Sequence, residues 1–368
     1  MESEWRECKL GEQINLKRGY DLPNRLRQDG DIPIFSSSGV TGFHNEKMCD
    51  APGVITGRYG TIGQIFFSKK PYWPLNTTLY VQDFKGNDEL FVYYFLKRLD
   101  WEKYSDKSAV PGVNRNDVHQ EEIELPPLSE QKAIAAVLSS LDDKIDLLHR
   151  QNKTLEAMAE TLFRQRFIDK EIDGTISQLI SIQNGFAFKS KDFRENGTKG
   201  ILKIKNISGG IIDIQNTDFI DDPLSESISD RFLVKTGDIL IGMTGAEIGK
   251  LGIVPKNNKV LWLNQRVGLL KEKYKGSNYL AYIQLKSDFG QDFIENAATG
   301  SAQPNISSSE IENCGFPAIT EKQIKEYSEE ICPFYEKLII NLGQIRTLEK
   351  LRDTLLPKLM SGEVRIAL

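Results

Sequence analysis

The feature that most constrains this chain is an imperfect tandem repeat in which the second copy follows the first by roughly 190 positions. Residues 53–63 (GVITGRYGTIG) form an apolar run leading into a glycine-rich turn, and residues 238–249 (DILIGMTGAEIG) repeat the pattern with one extra residue. Residues 74–81 (PLNTTLYV) match 262–269 (WLNQRVGL), 108–113 (SAVPGV) match 301–306 (SAQPNI), and 125–130 (LPPLSE) match 316–321 (FPAITE). A chain whose halves share ordered signals of this kind is expected to fold as two copies of one architecture. The 368-residue length agrees, because a single core rarely serves that many residues.

Each half reads as a β-rich body followed by a long helix. The β-branched runs are short and punctuated by Gly, Asn and Asp. The boundaries expected are 1–125, 126–168, 169–316 and 317–368. The first helix opens at Pro126-Pro127-Leu128-Ser129, with Ser129 placed as the N-cap, and runs without Gly or Pro to about Phe167. That is about 57 Å of helix at the standard rise. Leu138, Leu141, Ile145, Leu148, Asn152, Leu155, Ala159 and Leu162 alternate steps of three and four, a heptad seam, and Asn152 at an a-type position can fix register. The second helix starts at Thr320 with Gln323 completing a capping box. Pro333 is expected to interrupt it. It resumes through Leu338, Ile345, Leu348, Leu355 and Leu359, with Asn341 and Arg352 in the seam and Pro357 fraying the last turn. The fold class expected is therefore α+β: two β-rich domains, each followed by a long helix. The helices would form an antiparallel coiled coil and space halves related by a pseudo-two-fold axis.

Composition narrows the function classes. No apolar run approaches the ~20 residues of a membrane span, and residues 1–10 (MESEWRECKL) lack an apolar signal core, so a cytoplasmic location is expected. Cys8, Cys49, Cys314 and Cys332, like His44, His119 and His149, are scattered without ligand spacing, so no metal site is expected. Residues 245–251 (GAEIGKL) fall one residue short of a phosphate-cradling loop and end in Leu, which reads as a turn. Pro126-Pro127 lacks the Asn/Asp and aromatic neighbours of an adenine methyltransferase motif, and no catalytic grouping of Ser, His, Asp or Cys stands out. No catalytic residue is expected.

Three segments carry a resemblance. Residues 126–132 (PPLSEQK) with 141–146 (LDDKID) and the following helix resemble the central region of type I restriction-modification specificity subunits. Residues 301–306 resemble the segment closing a target-recognition domain of that family, and 355–363 (LLPKLMSGE) resemble its C-terminal signature. The first recognition half is shorter than the second, which implies trimmed loops there. The resemblance implies a non-catalytic subunit that reads a bipartite, asymmetric sequence in double-stranded DNA, one half-site per recognition domain. It implies helices that set half-site spacing and dock two adenine-N6 methyltransferase subunits. S-adenosylmethionine would be bound by those subunits, and ATP and magnesium by a further motor-nuclease subunit; this chain would bind no cofactor.

Base edges are read by Arg, Lys, Asn and Gln, and phosphates also by Ser, Thr and backbone N–H groups. On that basis the candidate DNA-binding residues in the first half are Arg18, Arg58, Tyr59, Thr61, Lys107, Ser108 and Arg115. In the second they are Asn184, Lys189, Lys205, Thr244, Lys250, Gln265, Arg266, Ser301 and Gln303. Asn76 and Asn264 recur at matched positions and are expected to share a structural role. Gly57, Gly60 and Gly63, with Gly242, Gly245 and Gly249, are expected to serve their turns. The net charge of −5 sits uneasily with DNA binding unless partner subunits supply positive charge. A two-headed coiled-coil scaffold spacing protein or glycan ligands is the alternative that the repeat and the acidity also allow.

Overall fold

A computed structural model of the chain describes residues 5–105, 112–167, 169–298 and 304–366. Contacts divide the chain into two units, Met1–Ile145 with Leu348–Leu368, and Asp146–Thr347. The division passes through both long helices, so each unit holds part of each. The class is α+β, as expected.

The first unit contains β1 (Arg6–Lys9), α1 (Leu10–Gln13), β2 (Asn15–Arg18), β3 (Ile32–Ser36), β4 (Gly39–His44), β5 (Gly53–Gly57), β6 (Ile65–Ser68), β7 (Trp73–Pro74) and β8 (Thr78–Asp83). After these come α2 (Glu89–Arg98), α3 (Arg115–His119), β9 (Glu122–Leu125) and α4 (Leu128–Phe167). A four-stranded sheet in the order β2-β8-β5-β6 adjoins a three-stranded sheet β4-β3-β7, and β1 pairs with β9. The core is built where Leu16, Val54, Leu79 and Val81 of the larger sheet meet Phe91, Phe95 and Leu96 of α2. Strand and helix periods thus turn apolar side chains to one shared face.

The second unit repeats this plan with additions: β10 (Gly174–Thr175), β11 (Ile180–Asn184), β12 (Lys199–Leu202), β13 (Ile207–Ser208), β14 (Gly210–Ile212), β15 (Asp218–Ile220), α5 (Asp222–Ser227), β16 (Leu233–Val234) and β17 (Ile239–Gly242). There follow β18 (Leu251–Ile253), β19 (Val260–Leu263), β20 (Val267–Glu272), α6 (Ser277–Lys286), α7 (Asp288–Ala297), α8 (Ser308–Glu312), β21 (Gly315–Phe316) and α9 (Glu321–Met360). The order β11-β20-β17-β18 reproduces β2-β8-β5-β6, and two further strands, β14-β13, extend that sheet. The parallel pairing of β12 with β19 reproduces that of β3 with β7. The residues between β12 and β17 make the added strands and α5, and account for the greater length of this half.

The long helices depart from expectation at their punctuation. Helix α4 begins at Leu128, and the carbonyl of Pro127 accepts from the N–H groups of Glu130 and Gln131 at 2.9 Å each. Ser129 is therefore inside the first turn, not the cap. Gln131 anchors this end by accepting from Asp88 N (3.0 Å) and donating to Asn87 Oδ1 (2.9 Å). Helix α9 opens as expected, with Gln323 N donating to Thr320 Oγ1 and Thr320 N to Gln323 Oε1. It then runs unbroken to Met360, through both prolines. Proline forfeits one backbone bond, but its φ is helical. At Pro333 the neighbours Ile331, Cys332, Tyr335 and Leu338 are all buried, so packing holds the helix across the gap. Pro357 is exposed, Leu359 and Met360 beyond it are buried, and Ser361 N donates back to the Pro357 carbonyl.

Within each unit the segments of α4 and α9 run antiparallel. In the first, Arg352 donates to Asp142 at 2.8 Å while Arg365 pairs with Glu130. In the second, Asn341 pairs with Asn152 while Arg166 donates to Glu330 at 2.6 Å. The seam residues of α4 predicted from spacing are all buried or half-buried. Asn341 Nδ2 donates to Asn152 Oδ1 at 2.9 Å in a buried setting. Replacing Asn341 by Leu strands the Asn152 amide and should cost about 1–3 kcal/mol. The double replacement of Asn152 and Asn341 by Leu should recover that loss. Urea unfolding checks this; equal losses in both variants would show that the amide pair is not the cause.

Candidate nucleic-acid interface

In the first unit three separate stretches of chain meet at one corner. Strand β2 ends at Arg18, and the chain turns through Tyr20, whose N–H donates to the Pro74 carbonyl at 2.8 Å. Strand β5 ends at Gly57, where an added Cβ would lie 1.9 Å from the Thr61 carbonyl oxygen, so only glycine closes this turn. The next residue, Arg58, donates from its N–H to Thr77 O (2.8 Å) and accepts at its carbonyl from Val113 N (2.9 Å). Tyr59 bridges Gly112. Asn114 then caps α3, accepting from Asn116 N at 3.0 Å. The result is a surface cleft of about 650 Å³ whose lining includes Lys17, Arg18, Asp21, Arg58, Tyr59 and Arg115.

Its electrostatics are strongly one-signed. Among the described residues of the lining, Asp21 is the one carboxylate beside four cationic side chains. Arg18 Nη2 lies 3.9 Å from Asp21 Oδ1, with both side chains more than half exposed, a geometry of little energetic weight. The Arg58 guanidinium sits 4.6 Å over the Tyr59 ring. Lys17 Nζ donates to Tyr20 Oη at 3.4 Å, and the Tyr20 and Tyr80 hydroxyls share a 2.9 Å bond.

The second unit builds the same corner from different side chains. Phe186 N donates to Leu263 O (2.8 Å), Met243 N to Arg266 O (3.1 Å) and Ile306 N to Met243 O (3.0 Å), and Thr244 bridges Asn305. At Gly242 a Cβ would lie 2.4 Å from the Glu247 carbonyl oxygen. These bonds superpose the two halves residue by residue. Asn184 stands where Arg18 stands, Met243 at Arg58, Thr244 at Tyr59 and Ser308 at Arg115. The Ser308 hydroxyl donates to Asn184 Oδ1 at 2.7 Å. The remaining glycines of both turns, Gly60, Gly63, Gly245 and Gly249, have φ between 75° and 81°, as turn duty requires.

The same bonds correct the sequence match of residues 74–81 with 262–269 by one position. Thr78 N donates to Leu75 O and Val267 N to Asn264 O, so Asn264 corresponds to Leu75, Asn76 to Gln265 and Thr77 to Arg266. The shared Leu-Asn dipeptide misaligned them. Asn76 and Asn264 therefore have no common role. Asn264 is buried, its Oδ1 3.3 Å from Arg266 N, whereas Asn76 donates from its side chain to the Asp21 carboxylate.

The candidate residues divide accordingly. Arg18, Arg58, Tyr59 and Arg115 are brought together in the first cleft. Thr61 is exposed on the adjoining turn. Asn184 and Thr244 share the second corner, and Gln265 and Arg266 are exposed on the turn before β20. Lys189 and Lys205 are not at the corner bonds: Lys189 N–H donates to Asp192 and Lys205 pairs with Asp218 at 3.0 Å; Lys250 accepts the Gly242 N–H through its carbonyl at 2.9 Å, while its ammonium pairs with Glu247. Lys107, Ser108, Ser301 and Gln303 lie outside the described residues. Sequence reasoning missed Lys17 and Asp21, which flank Arg18; the available signal was Lys17 alternating with the buried Leu16 along β2.

The family model for the type I restriction modification DNA specificity domain matches residues 2–157 and 170–336. The chain belongs to this family. Each specificity-domain match carries one of the two corners. The MjaVIII specificity subunit of a type I restriction enzyme from Methanocaldococcus jannaschii is 26% identical over 329 residues, covering 83% of this chain and 77% of that protein. The MjaIX specificity subunit from the same organism is 26% identical over 304 residues, 75% of this chain and 69% of the relative. The crystal structure of the S subunit of a type I restriction-modification system from M. genitalium has a TM-score of 0.69 at 19% identity, covering 98% and 96% of the two chains. It shows the same fold.

A titratable group supports the first specificity domain's corner from behind. His119 Nε2 accepts the Leu16 N–H at 2.9 Å, which requires the neutral ring. Burial, then Arg115 and Lys85, hold its pKa below the model-compound value of 6.5. At the equivalent place Glu312 accepts the Ile182 N–H at 2.6 Å. Because the folded pKa is depressed, the stability that His119 contributes is present above pH about 6.5 and lost as pH falls below it. Replacing His119 by Glu should transplant the second domain's solution and remove this acid sensitivity. The urea midpoint of the first unit, followed from pH 7 to 5, measures it; an undiminished pH slope in the variant would assign the effect elsewhere.

Proposed function

We propose that this chain is the non-catalytic recognition subunit of a type I restriction-modification complex. It reads one half of a bipartite, asymmetric DNA site with each of the domains 1–125 and 169–316, and it positions two adenine-N6 methyltransferase subunits through the helical regions 126–168 and 317–368. The observation that carries the reading is the pair of corners. One backbone hydrogen-bond pattern is built twice, and the side chains it carries differ at each matched position: Arg18, Tyr59 and Arg115 give way to Asn184, Thr244 and Ser308, and the half-buried Arg58 to the buried Met243. A subunit that reads two unlike half-sites with one scaffold needs that combination, since phosphate-positioning geometry is common to all duplexes while base contacts must change.

A non-catalytic role agrees with the state of the thiols. Burial pushes Cys314 up to about 12 and, first among its causes, Cys332 up to about 11, far from the thiolate range of nucleophiles. On this reading S-adenosylmethionine is bound by the methyltransferase subunits, and ATP and magnesium by a motor-nuclease subunit. No helix among the described residues is long and apolar enough to cross a membrane; the cytoplasmic location belongs to the proposal and is supported by its DNA substrate.

The test is co-expression with a type I methyltransferase subunit that assembles with this chain, followed by genome-wide mapping of N6-methyladenine. A split asymmetric motif, methylated on both strands and lost when this chain is omitted, is the expected result. Methylation indifferent to the chain, with a stable complex in hand, would sink the proposal and favour a scaffold.

A further inference from the structure

We infer that the first domain's corner reads a G·C base pair in the major groove through Arg18, Arg58 and Asp21, and that the matched positions of the second domain, Asn184, Met243 and Ala187, do not carry this chemistry. The inference rests on the DNA-recognition reading above. In the major groove guanine offers two acceptors, N7 and O6, which match a guanidinium fork, and cytosine offers an amino donor at N4, which matches a carboxylate. The first corner holds both complements side by side. Arg18 Nη2 and Asp21 Oδ1 are 3.9 Å apart, and their side chains are 53% and 72% exposed. A pair that long and that wet binds itself weakly, so although Arg18 Nε donates to the Asn76 carbonyl at 3.4 Å, its terminal N–H groups are left for a base edge. The Asn76 side-chain amide donates to Asp21 and fixes where its carboxylate stands. Packing of Arg58 over the Tyr59 ring at 4.6 Å restrains a second guanidinium and occupies its face, leaving its N–H edge for hydrogen bonds.

A phosphate seat is the obvious competitor. The four cations alone would also attract a phosphate; the carboxylate favours a base edge, because a phosphate gives Asp21 nothing to accept whereas a cytosine amino group donates to it. The comparison with the second domain then isolates the chemistry from the geometry. The backbone bonds that place Arg58 and Met243 are the same, yet the positions of Arg18, Arg58 and Arg115 are filled by Asn184, Met243 and Ser308, none of them charged. Asn184 is an amide, the side chain whose donor and acceptor match adenine.

The experiment maps the methylated motif of the full chain, assembled with its methyltransferase subunit, for the wild type and for Arg18→Lys, Arg58→Lys and Asn184→Ala. Lysine keeps the charge a phosphate needs and loses the fork a guanine needs. At least one lysine variant should relax discrimination at one G·C position of one half-site by roughly ten- to a hundredfold, with the other half-site unchanged. Asn184→Ala should disturb the other half-site. Arg18 is exposed and Arg58 half-buried, so neither change empties the core, and recovery of the complex at wild-type yield confirms folding. The inference is overturned if both lysine variants keep the wild-type motif, if they weaken both half-sites alike, or if the affected half-site contains no G·C pair. A wild-type chain that yields no bipartite motif would overturn the recognition reading itself, and is distinguished by failing before any variant is compared.

Discussion

A carbonyl oxygen occupies the place of a side chain at the end of one strand in each half, Thr61 O against Gly57 and Glu247 O against Gly242. No residue with a Cβ fits there without moving the turn. After the tight closure the backbone bonds of Arg58 and of Met243 lock the next residues between the same two neighbouring segments, with Arg58 half-buried at the cleft and Met243 turned into the core. The corner is thus specified by main-chain atoms and by the lack of a side chain. The side chains it carries are free to differ, and they do: Arg58-Tyr59 line the cleft in one half, whereas in the other Met243 is buried and Thr244 half-buried. A fold built this way separates holding from reading.

The helices obey a related division between apolar packing and polar selection. Leu138, Ile145, Leu148 and Ala159 of α4 are buried, as a heptad seam requires. Set among them are groups that hydrophobic packing alone would not choose. Asn152 meets Asn341, and Asp142 accepts from both Arg352 (2.8 Å) and the Tyr94 hydroxyl (2.7 Å). Desolvating such groups costs about as much as their mutual attraction returns. Their physical value lies in register, because sliding one helix past the other by a turn would leave each of them buried against an apolar partner.

Local sequence rules read the helices well and failed where packing overrides them. The Pro126-Pro127 opening and the three-and-four spacing give a helix capped at Ser129 and running to about Phe167; α4 spans Leu128–Phe167, its cap displaced to Pro127. Pro333 was read as a break because proline removes a bond, yet the buried Ile331, Tyr335 and Leu338 on either side keep α9 whole. In the corners, the recurring Leu-Asn dipeptide suggested a shared role that the hydrogen bonds contradict by one residue. Arg18, Arg58 and Arg115 could each be picked from the sequence as donors beside turns. That they line one cleft is a fact of sheet order, since β2, β5 and the approach to α3 are far apart in sequence, and Asp21 gains meaning only beside them. Side-chain chemistry is local and legible; convergence is not.

The acidity of the chain follows the same logic. A net charge of −5 gives the whole molecule no long-range attraction for a polyanion. The first corner nevertheless gathers Lys17, Arg18, Arg58 and Arg115 around a single carboxylate, while the second presents Asn184, Thr244 and Ser308 and leaves Arg266 to the adjoining turn. Charge that is sparse overall and dense at one cleft contributes little to non-specific binding, which scales with the number of phosphates neutralised. It contributes at short range, where a guanidinium fork either meets its acceptors or does not. Selectivity in an acidic chain of this kind rests on the few side chains that its glycine turns hold at the cleft, not on the summed charge of its surface.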